Sequence, residues 1–319
     1  MAYVAGDTIT AAQYNIFVNN SSSPFGYNHF AGTGSGNYGL GQTHIATVDA
    51  ESTTITAAQF NTLLTAIDNI ANHTNDTMTA RTAVAAGDTI AIKSNLEADL
   101  ATLAASVNSG SPNATAIGSN QVGQSTNSST FNDTSTIERS VTFASADTMR
   151  HFFNAGGKIR CVMSAEGSVD GDKDTVFTDL SNAIGNLDIA AEAPTRSGSG
   201  ETLTTNGLAN GFRDLGTGYT VLLKLTSDNS GYTSNTAEIS AKLNAAIGTG
   251  VTLTVKQVCV DGGSDTTFTA GNTSGVAANP NEAPTMRLTL TELNPTDAQG
   301  LASAIQVDSN AEVSNSATS

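Results

Sequence analysis

The chain has 319 residues, a formal net charge of -16 and a pI of about 4.3. That length fits two domains or one large one, and that charge repels phosphate, which excludes a nucleic-acid surface. Charged residues make up only 13% and aromatics 5%, and Trp is absent; a mix dominated by Ser, Thr, Asn, Gly and Ala suits a β-rich, self-associating protein better than a cytosolic enzyme.

Met1-Ala-Tyr-Val4 has no basic or apolar leader pattern, so no secretory signal is expected. No apolar run reaches the length needed for membrane insertion. Residues 8–15 read T-I-T-A-A-Q-Y-N, and residues 54–61 read T-I-T-A-A-Q-F-N. In each copy a Thr is followed three residues later by Gln, which spells a capping box: Thr10 with Gln13, and Thr56 with Gln59. Ile9 and Ile55 occupy the hydrophobic-staple position. The first helix is predicted over 10–19, carrying Tyr14 and Phe17, and Asn20-Ser-Ser-Ser-Pro-Phe25 breaks it.

Residues 21–50 read as an extended arm. Gly32, Gly34, Gly36, Gly39 and Gly41 permit close backbone contact, and Phe25, Tyr27, Phe30, Tyr38, Leu40 and Ile45 are sparse anchors. G-T-G-S-G at 32–36 is not a nucleotide loop, because no strand precedes it and no Lys follows. After the second cap, Phe60, Leu63, Leu64, Ile67, Ile70 and Ala71 give one apolar face over 57–74. Residues 86–90 repeat A-G-D-T-I from residues 5–9, and Ile92, Leu96, Leu100, Leu103 and Val107 predict a third helix over 90–108, stopped by Asn108, Gly110 and Pro112. A duplicated helix start indicates a repeated structural unit rather than a catalytic site. Two readings stand open: ordinary surface helices, or faces that dock on neighbouring subunits.

Residues 111–134 are rich in Ser, Asn, Gly and Thr and read as a linker between an assembly region (1–110) and a body (135–295). Ile137, Val141 and Phe143 alternate with polar residues, as in a half-buried strand. A short helix with Met149, Phe152 and Phe153 follows, ended by Asn154-Ala-Gly-Gly157. Lys158 to Ala165 is the next strand, and Asp174 is read as the cap of a helix carrying Val176, Phe177, Leu180 and Ile184. Residues 191–211 read as a polar loop. Tyr219 to Leu225, Ala237 to Leu243, Val251 to Val260 and Thr285 to Leu293 are further strands, and residues 296–319 form a tail. The expected class is α+β: short N-terminal helices and an extended arm, then an antiparallel, β-rich, sandwich-like body with two inserted helices.

Chemical motifs are weak. Asp170, Asp172 and Asp174 alternate as in a calcium loop, but Thr175 and Ser181 stand where Gly and Glu belong. His29, His44, His73 and His151 lack metal-ligand spacing. Cys161 and Cys259 sit in strand-like runs and read as buried small hydrophobes rather than a disulfide or metal pair. No G-x-S-x-G elbow occurs. No catalytic, cofactor-binding or metal-binding residue is expected, and no cofactor.

The duplicated octapeptide, G-L-G-Q-T at 39–43 and M-R-H-F-F-N-A-G-G-K-I-R at 149–160 together resemble a family of virion structural proteins of tailed bacteriophages, known from marine, cyanobacterial and environmental phages. The resemblance covers most of the chain, and F-F-N-A-G-G-x-I-R is its most specific part. It implies a non-enzymatic virion protein, assembled in the bacterial host cytoplasm into the tail, baseplate or neck appendage. Its partners would be copies of itself and other virion proteins, without nucleic acid or membrane insertion. The alternatives are a capsid decoration protein and a receptor- or glycan-binding fibre-tip module, the latter with a host-surface receptor. On the assembly reading, Tyr14, Phe17, Phe25, Tyr27, Phe30, Tyr38, Leu40, Phe60 and Leu64 form the subunit interface. The arm by itself buries too little to offset its ordering entropy, so it is expected to lie across an adjacent subunit; the alternative is that it wraps its own chain.

Overall fold

The computed structural model describes residues 10–22, 25–31, 43–49, 55–74, 76–86, 93–109, 119–154, 156–166, 172–262, 283–294 and 307–318. They fall into two units. Unit 1 holds the described residues within Met1–Ile117 and Asp147–Gly157; unit 2 holds those within Gly118–Ala146, Lys158–Asn294 and Val307–Ser319.

Unit 1 begins with four helices: α1 (Ala11–Asn19), α2 (Tyr27–Ala31), α3 (Ala57–Thr74) and α4 (Lys93–Ser109). Their apolar stripes converge. Tyr14, Phe17 and Val18 of α1, Tyr27 and Phe30 of α2, Phe60, Leu63, Leu64, Ile67 and Ile70 of α3, and Leu96, Leu100 and Leu103 of α4 form one buried cluster. The helix at 27–31 corrects the expectation of an extended arm through these residues. Gly26 makes it feasible: its N–H donates to the Asn20 carbonyl at 2.8 Å, and an added Cβ would lie 2.6 Å from the Asn20 nitrogen, so only Gly lets the chain turn back there. Residues 43–49 and 76–86 run without helix or strand along these helices. The G-L-G-Q segment of the arm and most of the third A-G-D-T-I copy lie outside the described residues.

Unit 2 is built on β1 (Ser119–Thr126), β2 (Thr134–Phe143), β3 (Lys158–Glu166), β4 (Asn186–Ile189), β5 (Thr195–Arg196), β6 (Thr202–Asn206), β7 (Thr220–Thr226), β8 (Thr236–Leu243), β9 (Thr252–Val260), β10 (Thr285–Leu293) and β11 (Val307–Ala317). A short helix, α5 (Ala146–Asn154), stands between β2 and β3 in the chain, and α6 (Asp172–Ile184) lies between β3 and β4. The strands make a five-stranded sheet, β1-β10-β3-β4-β5, and a six-stranded sheet, β11-β2-β9-β8-β7-β6. Every pairing is antiparallel. The chain is therefore α+β with a β-rich, sandwich-like body.

Alternation explains the core. In β2, Ile137, Val141 and Phe143 are buried between half-exposed polar residues, and in β3 Ile159, Cys161 and Met163 do the same, as the two-residue period of a strand requires. Cys259 of β9 reaches Met163 of β3 at 3.5 Å between sulfurs, so the two sheets face each other there. Both cysteines are free and buried. The end of α5 is shaped by glycine. Gly156 has φ 93°, and the N–H of Gly157 donates to the Phe152 carbonyl at 2.9 Å, which closes the helix with a left-handed residue.

Several boundaries differ from the sequence reading. Residues 119–126, read as linker, form β1, and residues 307–317, read as tail, form β11. Both carry polar side chains because polar partners hold them in place of an apolar face. Arg139 of β2 donates to the Gln124 carbonyl at 2.8 Å, to Ser125 Oγ at 2.6 Å and to Asn310 Oδ1 at 3.0 Å, and burial lowers its pKa from the usual arginine value. Asn315 donates to the Thr126 carbonyl at 2.9 Å. The polar loop 191–211 contains β5 and β6. Asp172 and Lys173 already belong to the first turn of α6, which therefore does not begin behind an Asp174 cap.

Candidate functional site

The duplicated octapeptide is the organising feature of unit 1, and its local chemistry is the same in both copies. In the first, the Thr10 N–H donates to Gln13 Oε1 at 2.8 Å and the Gln13 N–H to Thr10 Oγ1 at 3.4 Å. In the second, the Thr56 N–H donates to Gln59 Oε1 at 2.9 Å and the Gln59 N–H to Thr56 Oγ1 at 3.2 Å. These are reciprocal capping boxes that satisfy otherwise orphaned amides.

The last letter of the octapeptide does something that the sequence reading missed. Asn15 Nδ2 donates to the Val48 carbonyl at 2.8 Å, and the Val48 N–H donates back to Asn15 Oδ1 at 2.8 Å. Asn61 repeats this on Val84, at 2.9 Å in both directions. Each primary amide thus mimics a strand neighbour and fixes both main-chain groups of one Val. Asn28 of α2 adds a third clamp on Ile45, at 2.8 and 2.9 Å, and Tyr27 Oη donates to the Thr43 carbonyl at 3.0 Å. On the second segment, Asp99 of α4 accepts from the Thr79 N–H at 3.2 Å and pairs with Arg81. Residues 43–49 are therefore pinned to α1 and α2, and residues 76–86 to α3 and α4. A signal was available: an identical Asn ends both copies, although Asn neither favours a helix interior nor serves the apolar face.

Of the residues expected at a subunit interface, Tyr14, Phe17, Tyr27, Phe30 and Phe60 are at most 2% exposed, and Leu64 is 6% exposed. They form the interior of unit 1 in their own chain, which corrects the interface assignment. Phe25 packs against the same cluster and stacks on His29, with ring centroids 4.0 Å apart; burial lowers the His29 pKa. Tyr38 and Leu40 lie outside the described residues. Burial pushes the Tyr27 phenol up to about 12 and raises the Tyr14 phenol.

An open groove of about 680 Å³ separates residues 43–46 from the face of α3 that carries Asn61, Thr62, Thr65, Ala66 and Asn69, with Tyr27 in its wall. Its lining is hydroxyl, amide and methyl, with His44 as its titratable side chain besides Tyr27. Such a surface can hold a main chain by hydrogen bonds but offers no paired acid and base. On unit 2, Lys242 and Lys256 place their ammonium groups 4.3 and 4.1 Å from the centre of the Tyr219 ring, a doubled cation–π contact. Burial and the neighbouring Glu138 raise the Tyr219 pKa. Among the described residues, Glu201 is the non-glycine residue with positive φ, 57°, and it accepts from the Asp228 N–H at 2.7 Å; burial, with Asp228 and Asp179 nearby, raises its pKa. Among the described residues, no group of three His, Cys, Asp or Glu gathers to hold a metal. Asp170, the first of the alternating aspartates, lies outside them. No described helix is long and apolar enough to cross a membrane.

Fold and clamps together define an α+β protein with a repeat-built helical unit and an antiparallel sandwich-like body. No family model, no curated protein and no solved structure matches the chain.

Proposed function

We propose that this chain is a non-enzymatic structural protein of a tailed-phage virion, assembled in the host cytoplasm into the tail, baseplate or neck through contacts with copies of itself and with other virion proteins. One observation carries the reading. The segment that contains the most specific part of the resemblance, M-R-H-F-F-N-A-G-G-K-I-R at 149–160, is spent on architecture: Met149, Phe152, Phe153 and Asn154 are buried, and Gly156 and Gly157 close α5 before β3. A shared segment of that kind is a likeness of scaffold, which suits a part whose work is to be assembled. The groove on unit 1, with its hydroxyl and amide lining, supports the same reading, because it suits contact with another chain.

The test is an antibody raised against the recombinant chain and applied to purified particles of the phage that encodes it. Gold label on the tail, baseplate or neck is the expected result. Label spread over the head would replace the appendage with a decoration role. A chain absent from the particles would overturn the virion reading.

A further inference from the structure

We propose that Lys173 and Asp261 condense to an intramolecular amide, a covalent staple between the first turn of α6 and the end of β9. The inference is independent of where the protein sits in a particle. Lys173 Nζ lies 2.6 Å from Asp261 Oδ2, and the two side chains are 7% and 0% exposed. The residues are 88 positions apart in the chain. Burying a Lys–Asp ion pair is costly unless every remaining lone pair and proton is matched. Here the match is incomplete, because Asp261 Oδ1 has no hydrogen-bond partner among the described residues. The position is also poor for a cation: Lys173 is the second residue of α6, where the helix carries its partial positive charge. An amide removes both charges from this site and leaves one N–H and one carbonyl.

The step balances within the pair. Nζ passes one proton to Oδ2 along their hydrogen bond. The freed amine lone pair attacks Cγ, the Cγ–Oδ2 bond breaks, and Oδ2 leaves as water with that proton and a second one from Nζ. The ammonium loses two protons, the carboxylate loses one oxygen, and nothing is oxidised or reduced. A competing reaction would release the same water: attack of the Gly262 nitrogen on the Asp261 carboxyl, giving a cyclic imide. The geometry disfavours it. The Gly262 N–H is committed to Asn235 Oδ1 at 3.0 Å, and the Asp261 N–H to the Asp133 carbonyl at 2.8 Å, so the main chain around the carboxyl is held while the amine lies against it.

Mass spectrometry of the denatured full chain tests the bond, with each variant read against its own sequence mass. The wild-type chain is expected to be lighter than its sequence by one water, and proteolysis should give a branched peptide joining the Lys173 and Asp261 fragments. Lys173→Met and Asp261→Ala should each restore the full mass. Asp261→Asn should still cross-link, losing one ammonia instead. A wild-type chain at full mass that yields only linear peptides overturns the proposal, and this arm does not depend on any variant folding. A water deficit that persists in Lys173→Met also overturns it, since that outcome marks the cyclic imide.

Discussion

Replacing Asn61 by Asp changes one atom of the clamp and reverses its chemistry. Asn61 gives and receives a hydrogen bond at 2.9 Å on each side of Val84. An ionised carboxylate still accepts from the Val84 N–H, but it has no proton for the Val84 carbonyl and sets a negative oxygen against it. Deleting both bonds with Asn61→Ala should cost about 2 kcal/mol at about 1 per net bond, less about 0.5 returned by the better helix propensity of Ala. The Asn61→Asp variant should lose about 2–3 kcal/mol at neutral pH, because a partly buried carbonyl is left facing a charge. Its pH dependence has a definite sign. The protonated carboxyl can donate as the amide does, so folding raises its pKa above the ordinary aspartate value of about 3.9. The deficit relative to wild type is then full at neutral pH and shrinks as pH falls through the folded-state value. Urea unfolding followed by far-UV circular dichroism, at neutral and at acid pH, reads both effects. An Asn61→Asp midpoint equal to wild type at neutral pH, or a deficit unchanged by acid, would refute the clamp as described. Asn15→Asp should behave alike, since its geometry on Val48 is the same.

Thr56→Ala and Thr10→Ala should each cost about 1 kcal/mol of stability in the same unfolding assay; no loss in either would mean that the capping boxes are ornamental. Tyr27 supplies an alkaline signature. Its phenol is pushed from 10.0 to about 12 in the folded chain, so the folded state holds its proton longer than the unfolded chain does. Its contribution is complete below about 10 and is lost as pH rises toward 12. Urea midpoints measured across that range should fall more steeply for wild type than for Tyr27→Phe, and equal slopes would refute it.

Where a strand buries one face, its residues announce it. Ile137, Val141 and Phe143, Ile159, Cys161 and Met163, and Leu288 and Leu290 alternate in the sequence and are buried in the sandwich. The strands that escaped notice are those without such a face. Strand β6 (T-L-T-T-N) is almost wholly exposed, and β11 is fixed by Asn310 and Asn315 rather than by apolar contacts. A polar side chain that bonds a main chain leaves no hydrophobic period to read. The aromatic residues of unit 1 misled for a related reason. Set among Gly, Ser and Asn, Tyr27 and Phe30 looked like anchors for another chain. Yet Asn28 between them ties the returning segment at Ile45, which brings that segment over them and closes the core from within.

The octapeptide shows why its copies agree where they do. Thr, Gln and Asn are identical in both, and each acts on the main chain, where one geometry serves any sequence. The letter that differs, Tyr14 against Phe60, sits in the core, where the neighbours are not repeated. The Tyr14 hydroxyl donates to the Gln59 carbonyl at 3.3 Å, so the first copy touches the second through the one group the second lacks. Phe60 is 0% exposed, and a hydroxyl there would need a partner of its own or carry the cost of an unmatched buried donor. The single difference between the copies therefore also supplies a contact between them, and Tyr14→Phe would lose it.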